Sequence, residues 1–339
     1  MFYLKGQPFR ALRQNWLLTD NFLIKKNIEV INKKIIMFIN WLKKQFLYRY
    51  CREYVLKLIV SVNPEWEVDR CYYPRFKKHC DLKNPKNLIE KIYWLELHSD
   101  TSLWTLCADK YRVREYIGRL GLIDYMPRLY GHWDKVKDID FNSLPSSFVI
   151  KSNNGCGTNK IVRDKSQLDI KKLIKELKQW IVLPNGYDNA QIHNTKIKRC
   201  IIAEELLSND FASLSPNSLV DFKVWCINGN PLYIWVAYNR VLLNVNMQLY
   251  DTDWNMHPEY MRNSATDIYN ENDPLLPKPK CLDEMLEVAK KIAEPFKQIR
   301  VDFYIVNNKP VIGELTMSSG YGYFTDEFYL MLGDMIKLP

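Results

Sequence analysis

Near its C-terminal end the chain carries Arg300-Val-Asp302-Phe-Tyr-Ile-Val-Asn307-Asn-Lys-Pro-Val-Ile-Gly-Glu314-Leu-Thr316, in which two β-rich stretches, residues 301–306 and 311–315, each hold one acid. Asn307-Asn308-Lys309 suits a three-residue hairpin loop with one left-handed position. In that register Asp302 lies directly across from Glu314. Side chains alternate faces along a strand, so Arg300, Asp302, Glu314 and Thr316 project to one side. Opposed like charges destabilise a bare sheet, where a cross-strand pair is worth about 0.2–1 kcal/mol, so a cation is expected between the acids. Mg2+ suits the place, because it takes oxygen ligands from one or two carboxylates and completes its shell with water and substrate phosphates. A surface hairpin in which Arg300 pairs with either acid is the plain alternative.

A second element is Ser147-Phe-Val-Ile-Lys151, a buried strand ending in lysine, followed by Ser-Asn-Asn-Gly155-Cys-Gly157-Thr158-Asn-Lys160 and a return strand at 161–162. Glycines let backbone amides approach phosphate oxygens, and the lysine adds a point charge. This is not a Walker A loop, whose Gly-Lys-Ser/Thr opens a helix. Further on, Cys200-Ile-Ile-Ala-Glu204-Glu205-Leu206-Leu207 is a strand that turns polar, and Glu204 can accept from an exocyclic amine. Val220-Asp221-Phe-Lys223-Val-Trp225-Cys-Ile-Asn228-Gly229 is a strand entering an Asn-Gly turn, with Lys223 in reach of a terminal phosphate. Taken singly, the hairpin reads equally as structural, and each charge as a surface group beside a core strand.

In this order the pieces resemble the ATP-grasp ligases. From about residue 82 onward the chain is similar to their teichuronopeptide-biosynthesis (TupA-like) branch, through Asn84-Pro85, Glu90-Lys91-Ile-Tyr-Trp94, Ala108-Asp109-Lys110-Tyr-Arg-Val-Arg114-Glu-Tyr116 and Tyr250-Asp251-Thr-Asp253-Trp254-Asn255. The resemblance implies an α/β (α+β) fold in which two α+β subdomains clasp ATP behind a helical N-terminal region. It implies that Lys151 contacts the nucleotide phosphates under a lid of Gly155, Gly157 and Thr158. Glu204 and Glu205, with backbone through Leu207, correspond to the adenine hinge. Arg114, four residues after Lys110, stands where related ligases place a phosphate-binding lysine. Lys223 is directed to the transferred phosphate, and Asp302 and Glu314 are the Mg2+ ligands. Thr316 replaces an asparagine common at the second acid, and Arg300 with backbone near Gly320 stabilises the acyl phosphate and tetrahedral intermediate.

The implied activity is ATP-dependent ligation of a carboxylate to an amine through an acyl phosphate, attaching an amino acid to a uronic-acid sugar of a capsule, O-antigen or teichuronic-type polysaccharide. A glycosyltransferase is the alternative from another class, although the Asp251-Thr-Asp253 letters of a sugar-nucleotide site fall inside a word already matched. A non-catalytic nucleotide-binding protein is the third, because Thr316 departs from the pattern.

With 339 residues, 47% of them hydrophobic, the chain can bury a core for two or three subdomains. Residues 1–60 hold twelve Lys or Arg and three Asp or Glu, a net of +9 that equals the net charge of the whole chain. The remainder is balanced at 36 of each sign, so the excess charge does not point to nucleic-acid binding by the body. In the basic segment Ile31, Ile35, Phe38, Leu42, Phe46 and Tyr50 recur at helical spacing, forming a stripe that either lies on an anionic membrane surface or packs on the body. Its longest uncharged apolar run, residues 35–42, is far short of the roughly 20 residues a span requires, and no secretory signal is read.

The expected organisation is a basic amphipathic helical arm at 1–62 and a helical region at 63–125. A first grasp subdomain with the glycine lid occupies 126–198, and a second, with hinge, mixed sheet and Mg2+ site, occupies 199–339. Eight cysteines without a Cys-x-x-Cys pair predict reduced thiols and a cytoplasmic protein, at the inner membrane face if the arm binds lipid. Cys156 in the lid is the one thiol placed to react. The five histidines lack metal-ligand spacing and read as ordinary core or surface residues.

Overall fold

The structure is a computed structural model that describes residues 46–155, 157–241, 244–262 and 273–339. Cys156, the centre of the polar loop at 252–279 and the stripe before Phe46 lie outside the described residues. The chain divides into two units, Met1–Arg52 and Glu53–Pro339. The described part of the first unit begins α1 (Phe46–Val62), on which Phe46 and Tyr50 fall as the spacing predicts. Among the described residues no helix is long and apolar enough to cross a membrane.

In the second unit the helical region starts with α2 (Pro64–Phe76), where Asn63 accepts from the Trp66 amide, Pro64 opens the first turn and Glu65 and Glu67 sit at the positive end of the helix dipole. α3 (Leu88–His98) has a reciprocal cap: the Asn87 side chain accepts from the Glu90 amide, and the Glu90 carboxylate accepts from the Asn87 amide. Two short helices come next, α4 (Ser102–Ala108) and α5 (Val113–Arg119).

Four strands, β1 (Leu129–Trp133), β2 (Phe148–Ser152), β3 (Asn159–Val162) and β4 (Ile201–Glu204), form an antiparallel sheet in the order β1-β4-β2-β3. α6 (Ile170–Val182), capped by Asp169, buries Leu173 and Leu177 with Phe148, Ile150, Ile201 and Ala203. Strand alternation sends Lys151 and Glu204 to the other face. Strand β4, expected from sequence to belong to the C-terminal subdomain, is central to this first sheet because its four residues are all buried and pair on both sides. A four-residue helix, α7 (Ile192–Thr195), precedes it.

The second sheet contains β5 (Asp221–Ile227), β6 (Asn230–Val241), β7 (Asn244–Asp251), β8 (Gln298–Val306) and β9 (Lys309–Thr316), in the order β7-β6-β5-β8-β9. Every neighbouring pair is antiparallel, where a mixed sheet was expected. β5 turns into β6 through Asn228 and Gly229, both at positive φ, as the Asn-Gly pair predicts. α8 (Leu282–Ala293) buries Met285, Val288 and Ile292 with Phe222, Val224, Val301 and Phe303 of one sheet face. The opposite face packs Trp225 and Trp235 with Phe324 and Phe328, the latter on α9 (Asp326–Asp334), and with Tyr72 of α2. Lys223, Arg300 and Asp302 share that second face with Trp225, so half of it is apolar and half charged.

The β8–β9 turn has two residues, Asn307 and Asn308, both at positive φ, where three were expected. Their amides donate to the Asp210 carboxylate at 3.0 and 2.9 Å. Phe303 pairs with Ile312, yet Asp302 pairs with Glu314, because Gly313 is an extra residue that bulges β9.

Candidate active site

The charged half of the second sheet is a buried cluster centred on Asp302, which is 4% exposed. Arg300 grips it with both edges of the guanidinium, Nε to Oδ1 at 2.6 Å and Nη2 to Oδ2 at 2.7 Å. Lys223, directly across on β5, donates to Oδ2 at 2.9 Å and lies 3.3 Å from Asp221. Burial works against ionising Asp302, but the charges of Arg300 and Lys223 outweigh it and hold the carboxyl below its ordinary pKa. Arg300 also donates from Nη1 to Ser319 Oγ at 2.6 Å and from Nη2 to Thr316 Oγ1 at 3.2 Å, and it sits 5.4 Å from the centre of the Trp235 ring. Four of its five N–H donors are thereby engaged, leaving one hydrogen on Nη1.

Glu314 faces Asp302 across the hairpin, as the register predicts, but the group that meets it is Lys110, whose Nζ donates to Oε1 at 2.8 Å. Lys110 stands in one of the matched words without an assigned role. Its local signal was the preceding Asp109, which accepts from the Tyr111 and Arg112 amides and from Asn153 Nδ2. Asn153, in turn, accepts the Lys110 amide on its carbonyl at 2.9 Å. The loop after Lys151 thus fixes the backbone from which Lys110 reaches the second sheet.

On the first sheet Lys151 and Glu204 are diagonal neighbours across β2 and β4, with Nζ 2.5 Å from Oε2. Arg114 donates to the other carboxylate oxygen at 2.9 Å and to the Pro127 carbonyl at 2.6 Å. Glu204 is therefore held by two cations, Lys151 and Arg114, and Arg114, expected to bind phosphate, is engaged with this carboxylate. Glu205 is exposed, its carboxylate accepting the Arg128 amide at 3.3 Å, and Leu207 is half-buried. In the glycine loop, Thr158 Oγ1 and Ser152 Oγ hydrogen-bond at 2.6 Å over Gly155, where an added Cβ would fall 1.7 Å from the threonine oxygen. Gly157 is at φ +70°, a conformation that favours glycine.

Lys151 and Glu204 meet Lys110 and Glu314 along a crevice walled by Val113, Met126, Ile312 and Leu315, with about 10 Å³ of free volume. Beside it a 210 Å³ cavity takes in Lys110, Arg300, Glu314, Thr316, Gly320 and His193. Asn189, Gln191, Ser318 and Gly320 also border a 220 Å³ cavity reaching Tyr93 and Tyr321, whose lining contains no Asp, Glu, Lys or Arg. Arg300, Glu314, Thr316 and Gly320 thus open on one space, while Lys223 and Asp302 lie behind Arg300.

Among the described residues no group of three His, Cys, Asp or Glu could hold a metal; the β8–β9 hairpin itself offers two carboxylates, Asp302 and Glu314, and the Thr316 hydroxyl. The seven described cysteines are free, and burial pushes the Cys71, Cys107 and Cys200 thiols up to about 12. Asp251 closes its own turn, accepting from the Asp253 and Asn255 amides. His193, read as ordinary, is a buried partner of Glu96 at 2.6 Å.

No curated protein matches the chain. Similar solved structures include the D-alanine–D-alanine ligase from Bacillus anthracis complexed with ATP, at 16% identity and a TM-score of 0.41, over 68% of this chain and 65% of that one. The chain therefore spans less than two thirds of that ligase. The corresponding ligase from Helicobacter pylori is 14% identical with a TM-score of 0.41, over 74% and 67%. An L-amino acid ligase from Bacillus licheniformis is 15% identical with a TM-score of 0.39, over 69% and 49%. A family profile described as TupA-like ATPgrasp matches residues 90–337, well over half of the chain, and the protein belongs to that family.

Proposed function

We propose that this protein is an ATP-dependent carboxylate–amine ligase that works through an acyl phosphate and attaches an amino acid to a uronic-acid sugar in cell-surface polysaccharide synthesis. The observation that carries the reading is the Asp302–Glu314 pair, opposed across one hairpin and surrounded by Lys110, Lys223 and Arg300. As an ATP-grasp protein it uses ATP with Mg2+. Two carboxylates and a hydroxyl are the hard oxygen donors Mg2+ selects, and the three cations drawn to them mark where positive charge is wanted. Asp302 and Glu314, with Thr316, would hold the ion, which when bound neutralises charge on the transferring phosphoryl group.

The chain's own groups position and neutralise. Lys151 and the Gly155–Thr158 lid bind phosphates, and Glu204, Glu205 and the backbone to Leu207 receive the base in the crevice. With free volume for hardly more than one water, the crevice requires Lys151 and Arg114 to yield Glu204 as the nucleotide enters. Lys223 faces the transferred phosphoryl group, and the free Nη1 hydrogen of Arg300 is available to an oxyanion, a contact whose loss typically costs about 10²–10³ in rate. The uncharged, hydroxyl- and amide-lined cavity beside Gly320 suits a sugar. Exposed Leu47, Val55, Leu58 and Val62 on α1, interleaved with Arg49, Arg52 and Lys57, support a peripheral membrane contact from the cytoplasmic side.

The test is ADP and phosphate release from Mg-ATP with uronic-acid glycans and pooled amino acids, with single omissions. Release that needs both a carboxylate and an amine is expected. Consumption of UDP-sugars without ATP would replace this reading with a glycosyltransferase.

A further inference from the structure

The ligase reading leaves one chemical requirement without a group. An amine that attacks an acyl carbon must be neutral, and it must lose a proton as the amide forms. Of the side chains bordering the 210 Å³ cavity, Lys110 and Arg300 are cations, and Glu314 is bonded to Lys110. Asn154, Asn185, Asn189, Gln191 and Asn194 are amides without basicity. His193 is the remaining titratable group on that border, and it is not free to turn. Its Nδ1 lies 2.6 Å from Glu96 Oε2, its backbone amide donates to Glu96 Oε1 at 2.7 Å, and Trp104 stands edge-on to the ring at 5.6 Å. His193 is 2% exposed and Glu96 4%.

A carboxylate at Nδ1 accepts only if that nitrogen carries the hydrogen, which leaves Nε2 with the lone pair. Among the described residues Nε2 has no hydrogen-bond partner, and unlike Arg114 Nε or Trp225 Nε1 it is not a sealed orphan. The neighbouring groups are uncharged: Trp104 stands against the ring, Thr105 donates to the His193 backbone carbonyl at 3.1 Å, and Ser318 donates to Glu96 at 3.4 Å. Lys196, on the same segment, donates to Thr101. Lys110, Arg300 and Glu314 face it from across the cavity.

We propose that His193, held by Glu96, is the base for the attacking amine. The amine lone pair forms the C–N bond, and the carbon–oxygen bond to phosphate breaks with its electrons leaving on phosphate. The amine proton passes to His193 Nε2, and the resulting imidazolium is offset by the Glu96 carboxylate. Glu96 is a positioning residue; His193 is the catalytic one. The inference rests on the ligase reading.

The experiment separates the two half-reactions in the full chain, using a glucuronic-acid oligosaccharide and Mg-ATP. Hydroxylamine, neutral at pH 7, traps the acyl phosphate without a base, whereas a primary amine needs one. For His193→Gln, hydroxamate formation stays at the wild-type rate. Amide formation falls about 100-fold or more, the acidic limb of its pH profile disappears, and added imidazole restores part of the rate. Glu96→Gln, the variant to use if His193→Gln does not fold, lowers amide formation and moves the acidic limb while sparing hydroxamate formation. Equal loss of both products in a folded variant, or amide formation as fast as wild type, overturns the assignment of His193 alone. Absence of ADP from the wild type with every carboxylate takes down the ligase reading, and this inference with it.

Discussion

Asp302 and Glu314 stand opposite one another across β8 and β9 because Gly313 is one residue more than the hairpin turn alone would place there. Without the bulge, Asp302 would pair with Gly313 and Glu314 with Val301, which belongs to the face packed on α8. The bulge needs glycine: a Cβ at 313 would fall 2.8 Å from the Tyr304 ring and 3.4 Å from the Asp302 carbonyl. Gly313→Ala is therefore expected to cost about 1–3 kcal/mol through overpacking, and to weaken Mg-ATP binding more than that loss alone explains. Thermal melts with and without Mg-ATP measure both quantities. A variant that melts lower but gains the wild-type increment from Mg-ATP would show that the bulge does not set the acid.

Arg300 and Asp302 neutralise each other while largely buried, so removing one partner leaves a buried charge. Arg300→Met is expected to destabilise by about 3–5 kcal/mol, moderated by Lys223, which still compensates Asp302. Because the folded Asp302 titrates below its ordinary value near 3.9, its contribution is complete above that value and is lost as pH falls through the lower, folded one. Denaturant melts of wild type and Asp302→Asn should diverge most at neutral pH and converge on acidification below about pH 4. A difference independent of pH would contradict the ion pair.

The parts of the site legible in sequence are those joined by short loops. Positive φ at Asn228, Gly229, Asn307 and Asn308 is written in residue types that tolerate it, and Asp302, Glu314, Arg300 and Thr316 share one hairpin. The loop there is a residue shorter than expected, and the bulge restores the register the longer loop would have had. Which residues pair across distant segments is not written locally: Lys110 with Glu314 is separated by 204 residues, Glu96 with His193 by 97 and Arg114 with Glu204 by 90. The sheet to which β4 belongs was hidden for the same reason, since an apolar strand can pair with either neighbouring set of strands.

His257 lies 2.8 Å from Glu259 and 3.3 Å from Asp251. Partial burial alone would lower its pKa, but the two carboxylates prevail and raise it above the ordinary 6.5. Its contribution to stability is thus complete below the unfolded value and fades as pH rises through the higher, folded one. An NMR titration should find His257 protonated above pH 6.5, and Asp251→Asn should move the midpoint downward. A wild-type midpoint at or below the ordinary value would mean the carboxylates do not reach the ring in solution.

Lys110 occupies the oxygen of Glu314 that a divalent ion would approach, while Arg300 and Lys223 take the near oxygens of Asp302. Mg2+ alone must displace these ammonium and guanidinium contacts, whereas a nucleotide triphosphate brings anionic oxygens to which Lys110 can move. Calorimetry should therefore detect weak Mg2+ binding to the free protein and strong binding once a non-hydrolysable ATP analogue is present. Lys110→Met should shift the two in opposite directions, improving Mg2+ binding to the free protein by relieving Glu314 and weakening nucleotide binding by removing a phosphate partner. If Lys110→Met weakened both alike, Lys110 would be a scaffold for the acid and would have no part in exchanging the ion pair for metal and phosphate.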